Sequence, residues 1–196
     1  MASSTYNFTG SKALVVDSDQ HAGELVANML KGFGISADYV VKTAEEAKSV
    51  LESQKTIDMV ICDSVLSDSL GTDFVRGLRQ SGEQSRKFMP VIVLTGHTER
   101  NNVLAARDSG ANNVIRKPVS PAALFDRLTW AVKNGRVFVE AQGYVGPDRR
   151  FRNLGPQNGE GLRSTDLPAT VGEASEPNLS QNEIDSFMKP TKISID

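Results

Sequence analysis

The sequence is poor in the residues that build metal cages and disulfides. It has one cysteine, Cys62, and two histidines, His21 and His97. A single thiol excludes an internal disulfide and a thiolate metal cluster. Cys62 lies inside an apolar run and reads as a small core residue. The histidines are not spaced as a metal pair and read as exposed residues at helix starts. The single tryptophan, Trp130, reads as partly buried packing on the last helix. No apolar run approaches the roughly 20 residues of a membrane span. Residues 1–9 are polar and lack the basic and apolar regions of a secretion signal. The expectation is a cytoplasmic chain with no membrane partner. Neither charge sign is in excess: 22 basic against 24 acidic residues, formal net charge −2, which gives no argument for a nucleic-acid partner. What is present, 39% hydrophobic residues in a chain of 196, suffices for one packed domain plus an appendage.

Four apolar runs end abruptly at a polar group. Residues 13–16 stop at Asp17, 59–62 at Asp63, 91–94 at Thr95 and 113–115 just before Lys117. Runs this short and apolar suit strands buried on both faces. Between them lie helical stripes: Leu25, Val26, Met29 and Leu30; Ala44, Ala47, Val50 and Leu51; Phe74, Val75 and Leu78; Val103, Leu104 and Ala106; Leu124, Phe125, Leu128 and Val132. Residues 35–41 supply one further strand, and Thr43 with Glu46 a capping box before the second helix. Residues 82–87 read as a turn. Strand and helix alternate five times over 12–134, which predicts an α/β domain with a parallel sheet and right-handed crossovers. Carboxyl ends of parallel strands are where open α/β sheets place ligands, so Asp17, Asp63, Thr95 and Lys117 are expected to converge.

Their chemistry is coherent. A carboxylate can attack a phosphoryl donor and hold the group as an acyl phosphate. Such a site needs Mg²⁺ on carboxylate and carbonyl oxygens, a fixed cation on another phosphoryl oxygen, which Lys117 can provide, and a small donor, the Thr95 hydroxyl.

Residues 12–134 resemble a bacterial response-regulator receiver domain, most like the single-domain chemotaxis type. The resemblance is carried by Val15, Val16 and Asp17, by Asp63 with Gly71 after its loop, by Val93, Leu94, Thr95 and Gly96, and by Lys117 and Pro118. It implies a doubly wound, flavodoxin-like (βα)5 sheet of order 2-1-3-4-5 and a phosphorelay role in chemotaxis or motility, fed by a sensor histidine kinase. It makes Asp63 the phosphoacceptor, Thr95 and Lys117 the phosphoryl-coordinating residues, and Asp17, Asp63 and the backbone carbonyl of Val65 the metal ligands. It also implies a cis bond at Pro118. The protein would be a phosphoacceptor rather than an enzyme.

The sequence departs from the family at several positions. The usual pair of adjacent acids is Asp17 followed by Ser18. The next acid, Asp19, is pointed elsewhere by alternation along the loop, so Mg²⁺ binding is expected to be weakened. Ser67 stands where Pro is common. Val65 and His97 occupy the positions that tune dephosphorylation. Val114 replaces the aromatic residue that rotates on activation, leaving backbone and helix shifts to signal.

Residues 1–11 read as a lead-in and 135–178 as an extension and linker rich in Gly, Pro, Ser, Asn and Glu, without a packed fold. Gly146, Pro147 and Asp148 read as a turn. Arg149, Arg150 and Arg152 around Phe151 read as solvated arginines with an aromatic resting on the domain, or as a docking patch for an acidic partner. Residues 179–189 read as a short amphipathic helix, with a capping box from Ser180 to Glu183 and a stop at Pro190. Leu179, Ile184, Phe187 and Met188 are its partner-binding motif. The segment is similar to the N-terminal peptide of the flagellar motor switch protein, which phosphorylated chemotaxis receivers bind. A tether over 136–178 has a root-mean-square reach on the order of 35 Å. The peptide can thus cap the face of the fourth helix, fifth strand and fifth helix of its own domain, or bind another receiver.

Two rival readings accompany this one. A degenerate receiver would keep the fold and act as a constitutive binding module. A haloacid-dehalogenase-like phosphatase would use Asp17 as nucleophile and Asp19 as acid/base, but the strand for its further carboxylates is missing. The tail is too poor in apolar residues for a helix-turn-helix.

Overall fold

The computed structural model describes residues 8–133, 138–141, 144–148 and 179–188. The four apolar runs and the further strand form β1 (Lys12–Val16), β2 (Ser36–Val41), β3 (Met59–Asp63), β4 (Val91–Thr95) and β5 (Asn113–Arg116). All four pairings are parallel, in the order β2-β1-β3-β4-β5. The helices are α1 (Gln20–Gly32), α2 (Ala44–Ser53), α3 (Gly71–Arg79), a single turn α4 (Gln84–Lys87), α5 (Arg100–Asp108) and α6 (Pro121–Lys133).

Alternation along the strands sorts the core into two layers. Leu14, Val16, Val60, Cys62, Val91, Val93 and Val114 face α2, α3 and α5, through Ala47, Leu51, Phe74, Val75, Leu78, Val103 and Ala106. Their neighbours Ala13, Val15, Ile61, Ile92, Leu94 and Ile115 face α1 and α6, through Val26, Ala27, Leu30, Leu124 and Leu128. A strand buried on both faces cannot alternate polar with apolar, which explains the continuous runs.

Each site residue is delivered by a local feature. Asp17 follows β1, and Asp19 caps α1 by accepting from the amides of His21 and Ala22. Gly71 opens α3 directly against the Asp63 strand. A Cβ there would come within 1.8 Å of the Asp63 carbonyl oxygen, so only glycine lets the helix approach. The Thr43–Glu46 capping box closes in both directions.

Two expectations need correction. The 82–87 turn contains α4, stabilised by a Glu83–Arg86 ion pair at 2.8 Å and by Lys55 on Glu83. Part of the extension read as unfolded is an antiparallel hairpin, β6 (Phe138–Ala141) with β7 (Tyr144–Pro147), so Gly146 and Pro147 lie in a strand rather than a turn. Tertiary contacts override composition here. Phe138 packs edge-on against Phe88 with centroids 5.1 Å apart, and Lys87 pairs with Glu140 at 2.7 Å. The guanidinium of Arg79 stacks on Phe138 at 5.1 Å. Arg149, Arg150, Phe151 and Arg152, and the linker readings for 149–178, lie outside the described residues.

Candidate functional site: an acidic pocket and a covered helix face

At the carboxyl ends of β1, β3 and β4 and just beyond β5, the structure brings Asp17, Asp63, Thr95 and Lys117 together. The Lys117 ammonium donates to Asp17 Oδ2 at 2.7 Å and to Asp63 Oδ2 at 2.6 Å. The side chain of Asp17 is 1% exposed, that of Asp63 12% and that of Lys117 25%, so a reagent from solvent reaches Asp63 and not Asp17. Asp63 Oδ1 carries only two longer contacts, from the Val65 amide at 3.3 Å and the Ser64 hydroxyl at 3.4 Å. Thr95 Oγ1 donates to the His97 carbonyl and accepts from the His97 amide and the Ser64 hydroxyl, all within 3.1 Å. The Lys117–Pro118 bond is cis.

The electrostatics follow from burial and pairing. Burial raises the Asp17 carboxyl above its usual range, against the pull of the Lys117 ammonium and the Asp19 amide. Burial works against the Lys117 charge too, but the two carboxylates outweigh it and the ammonium titrates above its ordinary value. Asp19 moves the other way: the Ala22 and His21 amides of the α1 cap hold it low. Its Oδ1 accepts from both cap amides. Burial, with Asp63 and Asp17 nearby, pushes the Cys62 thiol far up, so it is inert.

The oxygen donors available to a hard cation are the Asp17 and Asp63 carboxylates and the Val65 carbonyl. Where a third carboxylate would add charge, the Ser18 hydroxyl donates to that same Val65 carbonyl at 3.1 Å. Among the described residues no cluster of three or more carboxylate, imidazole or thiolate groups could hold a metal. Two carboxylates, a carbonyl and water are nonetheless within what Mg²⁺ accepts.

A second surface lies on the side of the domain bounded by α5, β5 and α6. The C-terminal helix α7 (Gln181–Met188) packs on it. Ile184 and Met188, one helical turn apart, are 0% and 2% exposed and join the apolar cluster that contains Val103, Ala106 and Val114. Leu179 and Phe187 pack at its margin, with Arg100 6.0 Å from the Phe187 ring. The polar contacts were not foreseen from sequence. Gln181 Oε1 accepts from the Arg116 amide at 2.6 Å, and its Nε2 donates to the Val114 carbonyl at 3.2 Å. Arg127 of α6 pairs with Asp185, which also accepts from Gln181 at 2.9 Å. The Leu179 amide donates to the Thr98 carbonyl at 2.9 Å. The signal that could have found them is the i,i+4 spacing of Gln181 and Asp185 beside that of Ile184 and Met188.

Comparison with known proteins accords with this geometry. KdpE of Escherichia coli K12, a KDP operon transcriptional regulatory protein, is 29% identical over 123 residues, 63% of this chain and 52% of KdpE. The chain spans about half the length of the curated relatives it matches. A response regulator receiver protein from Pseudomonas putida superposes with a TM-score of 0.56 at 29% identity, covering 61% of this chain and 95% of that one. The chemotaxis response regulator CheY4 of Vibrio cholerae gives 0.56 at 25% identity, covering 62% and 98%. Residues 13–129, more than half of the chain, match the response regulator receiver domain, and the protein belongs to that family.

Proposed function

We propose that this protein accepts a phosphoryl group on Asp63 from a sensor histidine kinase and signals by protein binding through the face of α5, β5 and α6. The observation that carries this reading is the Lys117 ammonium bridging the fully buried Asp17 and the slightly exposed Asp63, with the Thr95 hydroxyl at the next strand end. An Asp63 carboxylate oxygen attacks phosphorus. The bond from phosphorus to the donor nitrogen breaks with its electron pair going to the imidazole, leaving an acyl phosphate. Oδ1, with only its two longer contacts, gives up least in becoming the nucleophile. Lys117 stays as the counter-charge for a phosphoryl oxygen, and Thr95 offers its hydroxyl to another. Asp17, Asp63 and the Val65 carbonyl would hold Mg²⁺, which when bound offsets the charge on the phosphoryl oxygens. The similarity to a chemotaxis regulator favours a setting in motility.

Intact mass after incubation with acetyl phosphate and Mg²⁺, beside Asp63→Ala, tests this. An adduct confined to the wild type is expected. The Ser18–Val65 bond favours one second reading, a receiver that keeps the fold and binds partners without phosphorylation. No adduct at any Mg²⁺ concentration would establish that reading over the first.

A further inference from the structure

We infer that α7 is a built-in competitor on the output face, and that the partner it excludes is an amphipathic helix with the same layout: glutamine and aspartate at i and i+4, beside an apolar pair at i+3 and i+7. The inference rests on the reading above that this face is the output surface.

Three features support it. The recognition is specific: α7 is held by one apolar pair, one side-chain carboxamide on two backbone groups of β5, one ion pair with α6 and one amide on the Thr98 carbonyl. A surface that reads a helix through so many separate contacts will accept the same layout from another chain. The docking is also limited. Helix α7 has eight residues, too few to be stable in water by itself, so it forms only on this face and leaves by unfolding. Its attachment to the domain makes docking intramolecular, with an effective concentration on the order of millimolar. A weak segment then suffices to keep the face covered, and a stronger helix displaces it. Finally, the contact points adjoin the phosphoryl site. Thr98 lies three residues after Thr95, and Arg116 immediately precedes Lys117. A phosphoryl group that draws on Thr95 and Lys117 acts on the two segments that carry the backbone partners of Leu179 and Gln181.

The test uses the full chain and a fluorescent peptide of residues 176–190 as the probe, with binding read by anisotropy. Disabling the internal helix with Ile184→Glu and Met188→Glu should tighten peptide binding at least tenfold over wild type, with circular dichroism checking that the domain stays folded. Equal affinity for the two chains overturns the inference, and so does the absence of binding to either. A charge exchange gives an arm independent of that variant's behaviour. Adding Arg127→Asp to the disabled chain should weaken the natural peptide, and a peptide with Asp185→Arg should recover most of the loss. A charge-swapped peptide that binds no better than the natural one also overturns the inference. The phosphoryl adduct is scored separately. A chain that takes no phosphoryl group yet binds peptide more tightly once its tail is disabled retains this inference and loses the phosphoacceptor reading.

Discussion

The protein holds two of its cations, Arg79 and Lys117, in opposite ways. Arg79, at the end of α3, is 1% exposed. Its guanidinium donates to the carbonyls of Gly110, Lys87 and Met89 and to Asn112 Oδ1, at 2.7–3.0 Å. None of the ion pairs among the described residues involves it. Burial pushes its pKa down to about 10, which still leaves it charged at neutral pH. Lys117 is a quarter exposed and held by two carboxylates that push its charge the other way. Neutral oxygens in a fixed fork geometry suit a cation that never changes partner. A partly wet ammonium between two acids can exchange one carboxylate for a phosphoryl oxygen without leaving its place. The first cation fastens the β6–β7 hairpin and the α4 region to α3, while the second bridges two carboxylates at the strand ends.

Substitutions should separate the two, beginning with the largest effect. Arg79→Ala strands the carbonyls of Gly110, Lys87 and Met89, while Asn112 Oδ1 keeps the Val91 amide at 2.8 Å. A loss of about 3–4 kcal/mol is expected, read as a lower urea midpoint with the denaturant slope little changed. That loss should be independent of pH between 4 and 8, because no carboxylate is involved. Arg79→Lys should recover less than half, since a point charge cannot satisfy a fork. Lys117→Ala leaves Asp17 and Asp63 facing each other without a counter-charge. Discounted for its partial exposure, the loss at pH 7 is about 2 kcal/mol, and the phosphoryl adduct should be lost. The sign of its pH dependence is opposite to acid denaturation. Like-charged carboxylates titrate higher in the folded state, so the variant regains stability as pH falls from 7 towards 4.

Ser18→Asp sharpens the contrast from the metal side. A third carboxylate should tighten Mg²⁺ binding about tenfold by titration, a gain of about 1.4 kcal/mol. It should also lower the melting temperature in the absence of the ion. Asp17→Asn removes a buried charge while Lys117 keeps Asp63. Because burial raises the Asp17 pKa, its ionised form burdens the fold. The substitution should therefore raise the urea midpoint at pH 7, a gain that fades as pH falls through the folded pKa towards the ordinary value of 3.8. The smallest effect is at the tail. Ser180 holds Glu183 below its ordinary value of 4.5. That contribution is complete above about 4.5 and disappears as pH falls through the depressed folded value. Glu183→Gln at pH 7 should ease displacement of α7 by the labelled peptide about twofold.

The sheet and its helices were legible because four apolar runs and the stripes between them repeat one design, and the resemblance supplied the strand order. The residues that converge at the strand ends could be named because each apolar run is followed by a polar group: two carboxylates, a hydroxyl and an ammonium. What stayed hidden depended on contacts remote in sequence. Nothing about Arg79, a basic residue in the last turn of a helix, signals that the chain from 87 to 112 folds over it. The hairpin was missed because its strands are four residues each and Gly146 with Pro147 reads locally as a turn. For α7 the apolar pair could be read from its period, but the roles of Gln181 and Asp185 depend on which backbone groups and which arginine lie opposite.

The position of Gln181 has one further consequence. Strand β5 is one of the two edge strands of the sheet, and a bare edge strand offers unpaired amides and carbonyls to any other chain. The Gln181 carboxamide accepts from one of these groups and donates to another, as a residue of a sixth strand would. Docked, the helix therefore leaves fewer open groups on that edge, and its departure would expose the Arg116 amide and the Val114 carbonyl again.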